Sequence, residues 1–250
     1  MGHTDRLSEL GVRTDRQSIF PSGLVILLAA FESLGIETMT YTDGALREGL
    51  LYDIVGRIQH EDVRERTIQA LQGRYDIDTS LASAVEETAM TAFRQVAKAW
   101  EIDSEYDEDI LRWACRLHEI GLTISHTQYH KHGAYMLRYS DLPGFSQQAK
   151  KDLATLVRGH RRKFSTAVFE SCDPEDVPRL RLLCVLLRMG VLLQHPRNME
   201  QPAGFSVEPQ ANGMTISFAD GWLEERPLTR ADLHNEIDYL AKQDFKLIVT

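Results

Sequence analysis

The sequence predicts a mainly α protein: a multi-helix domain followed by a small α+β domain. Two observations carry this. From about residue 63 to residue 194 the apolar positions recur at helical spacing, broken only by short polar or glycine- and proline-containing turns. Near Pro202 the pattern changes to short alternating stretches around an Asn212-Gly213 turn. The composition supports a folded core, with 43% hydrophobic and 26% charged residues in a chain of 250.

Pro21 stands where the first turn of a helix tolerates proline, and 24–34 is apolar enough to be buried. Gly35 stops that helix. Residues 37–42 alternate and read as a strand, after which Asp43 caps a helix over 44–58. Further helices are expected over 63–72, 79–100, 108–119, 131–138, 146–159 and 178–194. Asp141-Leu-Pro-Gly144 is a turn and Ser146 a helix cap. Residues 101–109 read as a solvated acidic loop. In the C-terminal part, strands are expected over 205–208 and 214–218. A helix follows over 229–243, with Thr229 and Asp232 at capping-box spacing, and a last strand over 245–249.

The formal net charge of -9 argues against whole-surface attraction to nucleic acid or anionic lipid. A polyanion partner must therefore meet a local basic patch. The apolar runs are too short to cross a bilayer, and Met1 to Arg16 carries no signal-peptide pattern. Cys115, Cys172 and Cys184 are few and odd in number, and a reducing cytoplasm is the expectation. A helical pattern so soon after the start is expected of a segment cut from a longer protein.

Histidines are concentrated: His118, His126, His130, His132 and His160 fall on one stretch of helices and short loops. Leu117-His118-Glu119-Ile120-Gly121 puts a histidine beside an acid at a helix end, with His130 and His160 on later helices. Imidazole and carboxylate in this order suit a divalent metal that activates water, and the pattern resembles the HD phosphohydrolase superfamily. It is degenerate in three respects. No histidine lies between His60 and His118, Glu119 stands for the aspartate, and Arg188 stands where a late acid is expected. A cation in a metal pocket is repelled, so the expectation is no metal, with Arg188 paired to Glu119 in its place; pairing of Arg188 with some other acid is the alternative.

Arg158-Gly159-His160-Arg161-Arg162-Lys163 is the densest basic segment of this acidic chain. Cations at a helix C-terminus account for one or two of these charges. With Lys131 and His132 the segment is expected to form a groove for a phosphate chain, since arginine forks and lysine charges match phosphate oxygens. No aromatic residues are interleaved with it to stack bases, which argues against nucleic acid.

Taken together, the segments Asp43-Gly-Ala-Leu-Arg-Glu-Gly-Leu-Leu-Tyr52, Leu117-His-Glu-Ile-Gly-Leu122, Ile124-Ser-His126, Tyr129-His-Lys-His-Gly-Ala-Tyr135, Asp141-Leu-Pro-Gly-Phe-Ser146 and Leu156-Val-Arg-Gly-His160 resemble the exopolyphosphatase and guanosine pentaphosphate phosphatase family. They follow the family's order over most of the chain. The resemblance implies that 1–54 is the tail of an actin-like catalytic domain, 55–201 a degenerate HD-like helical domain and 202–250 a small α+β C-terminal domain. In such an enzyme, magnesium and two glycine-rich phosphate loops act in the actin-like domain. Those loops are not in this sequence. The expected role is thus to bind inorganic polyphosphate, aid processivity and form a homodimer, with terminal orthophosphate released elsewhere in the intact exopolyphosphatase. No catalytic residue, cofactor or metal is expected in this segment. The polymer would be held by Lys131, His132, Arg158, His160, Arg161, Arg162 and Lys163, beside a relic site of His118, Glu119, His130 and Arg188. The alternatives are an active HD-type metal phosphohydrolase and a purely structural dimerisation module.

Overall fold

The computed structural model describes residues 7, 11–39, 63–194 and 204–250. The chain divides into two compact units, Met1–Val55 and Gly56–Thr250. In the first, helix α1 (Phe20–Leu34) starts on Pro21 and ends at Gly35, whose left-handed backbone (φ 63°) lets its N–H donate to Phe31. Contrary to expectation, its apolar side chains are exposed, Val25 and Ile26 among them. The helix is apolar on every side, and among the described residues of this unit no second α-helix covers it. The strand expected over 37–42 and the helix over 44–58 lie wholly or largely outside the described residues, and 37–39 carry no regular structure.

The second unit contains α2 (Val63–Arg74), α3 (Thr79–Val96), α4 (Glu105–Leu117), α5 (Tyr129–Tyr139), α6 (Gln147–Gly159) and α7 (Val177–Leu193). The small sheet then follows: β1 (Ser206–Gln210), β2 (Gly213–Ser217), α8 (Pro227–Ala241) and β3 (Lys246–Val249). Side-chain caps start three of the helices. Asp78 accepts from Ser80 and Leu81, Ser104 from Asp107, and Ser146 from Ala149. The Ser104 cap starts α4 three residues before the expected position. The acidic stretch is therefore largely a helix N-terminus, where negative charge is favoured, and Asp107 is buried. At α8 the expected capping box is not used. Pro227 takes the first helical turn, and Arg226 stands at the cap position without a side-chain bond.

The core is continuous from α2 to the sheet. Ile110, Leu111, Leu117, Leu153, Leu156, Leu183 and Leu186 are fully buried. Each contributes about 1.5–3 kcal/mol of hydrophobic stabilisation. β1 and β2 form an antiparallel hairpin, Val207 opposite Ile216, and β3 pairs parallel to β2, Leu247 opposite Met214. Parallel neighbours need a crossover, and α8 supplies it. The sheet is tied to the helices by Gln95, whose Oε1 accepts from the Val207 N–H at 2.8 Å, and by Trp100 edge-on to Phe245. Among the described residues no helix is long and apolar enough to cross a membrane.

Candidate functional site

Two helix ends and one helix start meet at the histidines. His118 follows the last turn of α4, His160 follows the last turn of α6, and Tyr129 and His130 open α5. Their approach depends on residues without side chains. A Cβ on Gly121 would lie 2.0 Å from the Tyr129 carbonyl and 2.5 Å from the Gly133 nitrogen. The turn after Glu119 can therefore lie flat on α5 only with glycine there. Gly159 is similarly pressed on Cys184, where a Cβ would be 2.5 Å from the sulfur.

His118 and His160 meet edge to face with ring centroids 5.4 Å apart; Tyr129 lies 5.5 Å and His130 6.3 Å from His160. His118 Nδ1 is 2.7 Å from the Cys115 carbonyl, and His160 Nδ1 is 2.6 Å from that of Val157. A carbonyl only accepts, so both Nδ1 atoms carry hydrogen and both Nε2 atoms are left as acceptors. His160 Nε2 faces the Tyr129 hydroxyl at 3.5 Å. His130 differs, because its buried Nδ1 has no hydrogen-bond partner among the described residues. All three imidazoles are held neutral. Burial pushes His118 down to about 4. Burial lowers His160 well below its usual value, and His118 lowers it further. His130 is brought to about 4 by burial first and then by Arg161, Lys131, Arg158 and Arg162.

Four of the expected basic residues act electrostatically on this one imidazole, so their charges lie within reach of it. Arg161 lies over the Tyr129 ring at 4.4 Å. Lys131, Arg158, Arg162 and Lys163 are exposed, and His132 and Arg161 are half-buried. No carboxylate among the described residues is ion-paired with Lys131, Arg158, Arg161, Arg162 or Lys163. His160 lies beneath this surface rather than on it, at 2% exposure. As the residue that closes α6 it is locked to its own helix, so the expected polymer contact at His160 is replaced by a place in the supporting layer.

The expected pairing of Arg188 with Glu119 is not formed. Arg188 pairs with Glu236 of α8, its Nε 2.5 Å and its Nη2 2.6 Å from the two carboxylate oxygens. Arg188 is buried in α7 and is directed at the loop after α6 and at α8, where Glu236 is also buried. Glu119 is half-buried, and the Tyr129 hydroxyl pKa is raised by burial first, with Glu119 adding to the rise. Among the described residues no group of three or more histidine, cysteine or acidic side chains is placed to hold a metal ion. The cations around His130 would also repel one.

Sequence reasoning missed Glu236, Tyr129 as a packing partner, and the two close-contact glycines. Glu236 gave no signal, since an ion pair spanning 48 residues has no periodicity. Gly121 and Gly159 stood beside the expected histidines, and glycine at a helix end next to a functional group is a usable sign of close approach.

The chain matches a family model described as Ppx/GppA phosphatase, domain III, over residues 63–237, and one described as Ppx/GppA phosphatase family over residues 1–58. It is 37% identical over 237 residues to the guanosine-5'-triphosphate,3'-diphosphate pyrophosphatase of Aeromonas hydrophila, covering 95% of this chain and 48% of the relative. Identity is 36% over 239 residues to the protein of the same name from Pseudoalteromonas translucida, covering 96% and 48%. To that of Vibrio atlanticus it is 39% over 236 residues, covering 93% and 47%. The chain thus spans about half the length of the curated relatives it matches.

Proposed function

The chain belongs to the Ppx/GppA phosphatase family, and from that premise we propose that it is the substrate-holding part of an exopolyphosphatase, binding inorganic polyphosphate while terminal phosphate is released in another part of the intact enzyme. The observation that carries this reading is that Arg161, Lys131, Arg158 and Arg162 all act on His130 while no carboxylate among the described residues is ion-paired with them. Cations left open in a protein of net charge -9 are unfavourable to collect unless an anion meets them. A phosphate chain presents one charge after another, and each charge-assisted contact adds to the grip. The neutral, buried histidines beneath supply a shaped floor rather than charge. On this reading the HD-like arrangement is a relic, magnesium belongs to the glycine-rich loops of the intact enzyme, and the segment pairs as a homodimer in the cytoplasm. The exposed apolar surface of α1 fits a helix whose packing partners lie in the remainder of an actin-like domain.

A second reading concerns the substrate. The relatives are named for guanosine-5'-triphosphate,3'-diphosphate, and the same cations would meet its phosphates. Calorimetry of this chain with long-chain polyphosphate and with the guanosine nucleotide, each at two salt concentrations, decides. Polyphosphate binding that weakens steeply with salt supports the first reading, as for other polyanions that release counterions. Tighter binding of the nucleotide supports the second, and binding of neither removes both. Light scattering on the same samples tests the homodimer.

A further inference from the structure

The buried arginine that replaces the expected acid makes more than an ion pair. Besides the Glu236 carboxylate, its Nη1 donates to the Gly159 carbonyl at 2.6 Å and its Nη2 to the Arg162 carbonyl at 2.8 Å. One guanidinium therefore grips both ends of the turn that carries His160, Arg161 and Arg162. Arg188 is 3% exposed and Glu236 5%, so neither charge has water to fall back on. The gripped turn is also a strained one. Arg162 has left-handed backbone, φ 66°, a conformation that a non-glycine residue keeps only when its surroundings hold it. Its carbonyl is one of those held. Below the turn, Gly159 is pressed on Cys184, one helical turn before Arg188 on α7.

We infer that Glu236, acting through Arg188, is a positioning residue for anion binding: the α8 carboxylate fixes the guanidinium that shapes the 159–162 turn and so sets where Arg161 and Arg162 point. The inference rests on the phosphate-chain reading for its binding consequence, but not for the brace itself. Arginine is required because its planar fork serves two carboxylate oxygens and two carbonyls together; a lysine ammonium is a single point charge with three donors. The carboxylate is required because a buried guanidinium without a counter-charge is driven toward water, and its two carbonyl bonds would be lost with it. The small α+β region thereby acts on a loop it does not contain.

The test is amide hydrogen exchange on the full chain, with polyphosphate titrations alongside, for wild type, Glu236→Gln and Arg188→Lys. The expected result is faster exchange at 160–164 in both variants, about tenfold or more, with α3 and α4 unchanged. Binding should weaken in parallel. The slope of log affinity against log salt should fall by about one for each phosphate that the turn no longer holds. Exchange at 160–164 that stays at the wild-type rate in folded Glu236→Gln overturns the inference, as does a change confined to α8. Arg188→Lys keeps a charge for Glu236, so it remains informative if the glutamine variant does not fold. Faster loop exchange with no polyphosphate binding even by wild type leaves the brace standing and rejects the phosphate-chain reading alone.

Discussion

Two groups of cations in this protein have opposite surroundings. Arg112, Arg116, Arg179 and Arg188 are each closed by carboxylates. Arg179 meets Asp107, Asp152 and Asp176 at 2.8, 2.8 and 3.1 Å, joining α4, α6 and α7. Arg116 pairs with Glu65 and Glu86, joining α4 to α2 and α3. Lys131, Arg158, Arg161, Arg162 and Lys163 have no such partner among the described residues, and the first four act electrostatically on His130. The first group holds helices together and serves the fold. The second contributes repulsion to the fold and, on the proposed reading, meets an anion. Residue type does not separate them; the placement of acids does.

Breaking the closed group should have the largest effect. Asp152 is fully buried and also accepts from Tyr106 at 3.0 Å, so Asp152→Ala takes from Arg179 the carboxylate that ties it to α6 and leaves Tyr106 without its acceptor. The expected loss is about 3–5 kcal/mol of stability, read by chemical denaturation. Anion binding below the transition should be unchanged. Equal losses of stability and affinity would contradict the division into two groups.

The histidine floor gives a pH signature. His118 and His130 titrate near 4 in the folded chain against an ordinary 6.5. The unfolded chain therefore binds protons between pH 6.5 and 4 that the folded chain refuses. Stability should be full above about pH 6.5, fall as pH drops toward 4, and level off below. The loss is on the order of 3 kcal/mol per histidine as an upper bound. Thermal melts from about pH 7.5 to about pH 4 check it, and His118→Asn should flatten part of the slope. A melt that is flat over this window, with the variant identical to wild type, removes the buried-neutral assignment.

Gly121→Ala sharpens the comparison from beneath. The added methyl has no room against Tyr129 and Gly133. A loss of about 1–3 kcal/mol is expected for forced overpacking, with weaker anion binding because the turn lifts from α5. The smallest stability effect belongs to the open cations. Arg161→Ala, Arg162→Ala and Lys163→Ala together should change stability by no more than about 0.5 kcal/mol. They should still weaken polyphosphate binding by about tenfold or more, with a shallower salt dependence. Unchanged affinity in a gel shift would take these residues out of the site.

How much of this is legible without coordinates depends on range. Helices with side-chain caps, such as those starting at Asp78 and Ser146, are read directly because the cap and the periodicity are local. The crowding of His118, His130 and His160 is legible as a pattern, though not which atom stays unsatisfied. What the sequence conceals is long-range pairing. The sequence reading puts Asp107 in a solvated loop and pairs Arg188 with Glu119 or another acid, and each is settled by a partner tens of residues away, Arg179 and Glu236. The C-terminal region misled differently. A capping box at Thr229 was plausible locally, but Pro227 already fixed the first turn of α8. Exposure on α1 is a matter of what lies around a helix, and no single-chain periodicity reports that.

The sulfur at the α6–α7 seam has a practical consequence. Cys184 is fully buried against Gly159, and burial pushes its thiol up to about 12. A thiol reagent attacks only the thiolate, so in the closed protein Cys184 should stay silent. It becomes a native clock for the parting of these two helices, needing no engineered label. Its alkylation rate, read by mass spectrometry beside that of Cys115 in α4, separates a local lift at the Gly159 end of the basic turn from unfolding of the whole core.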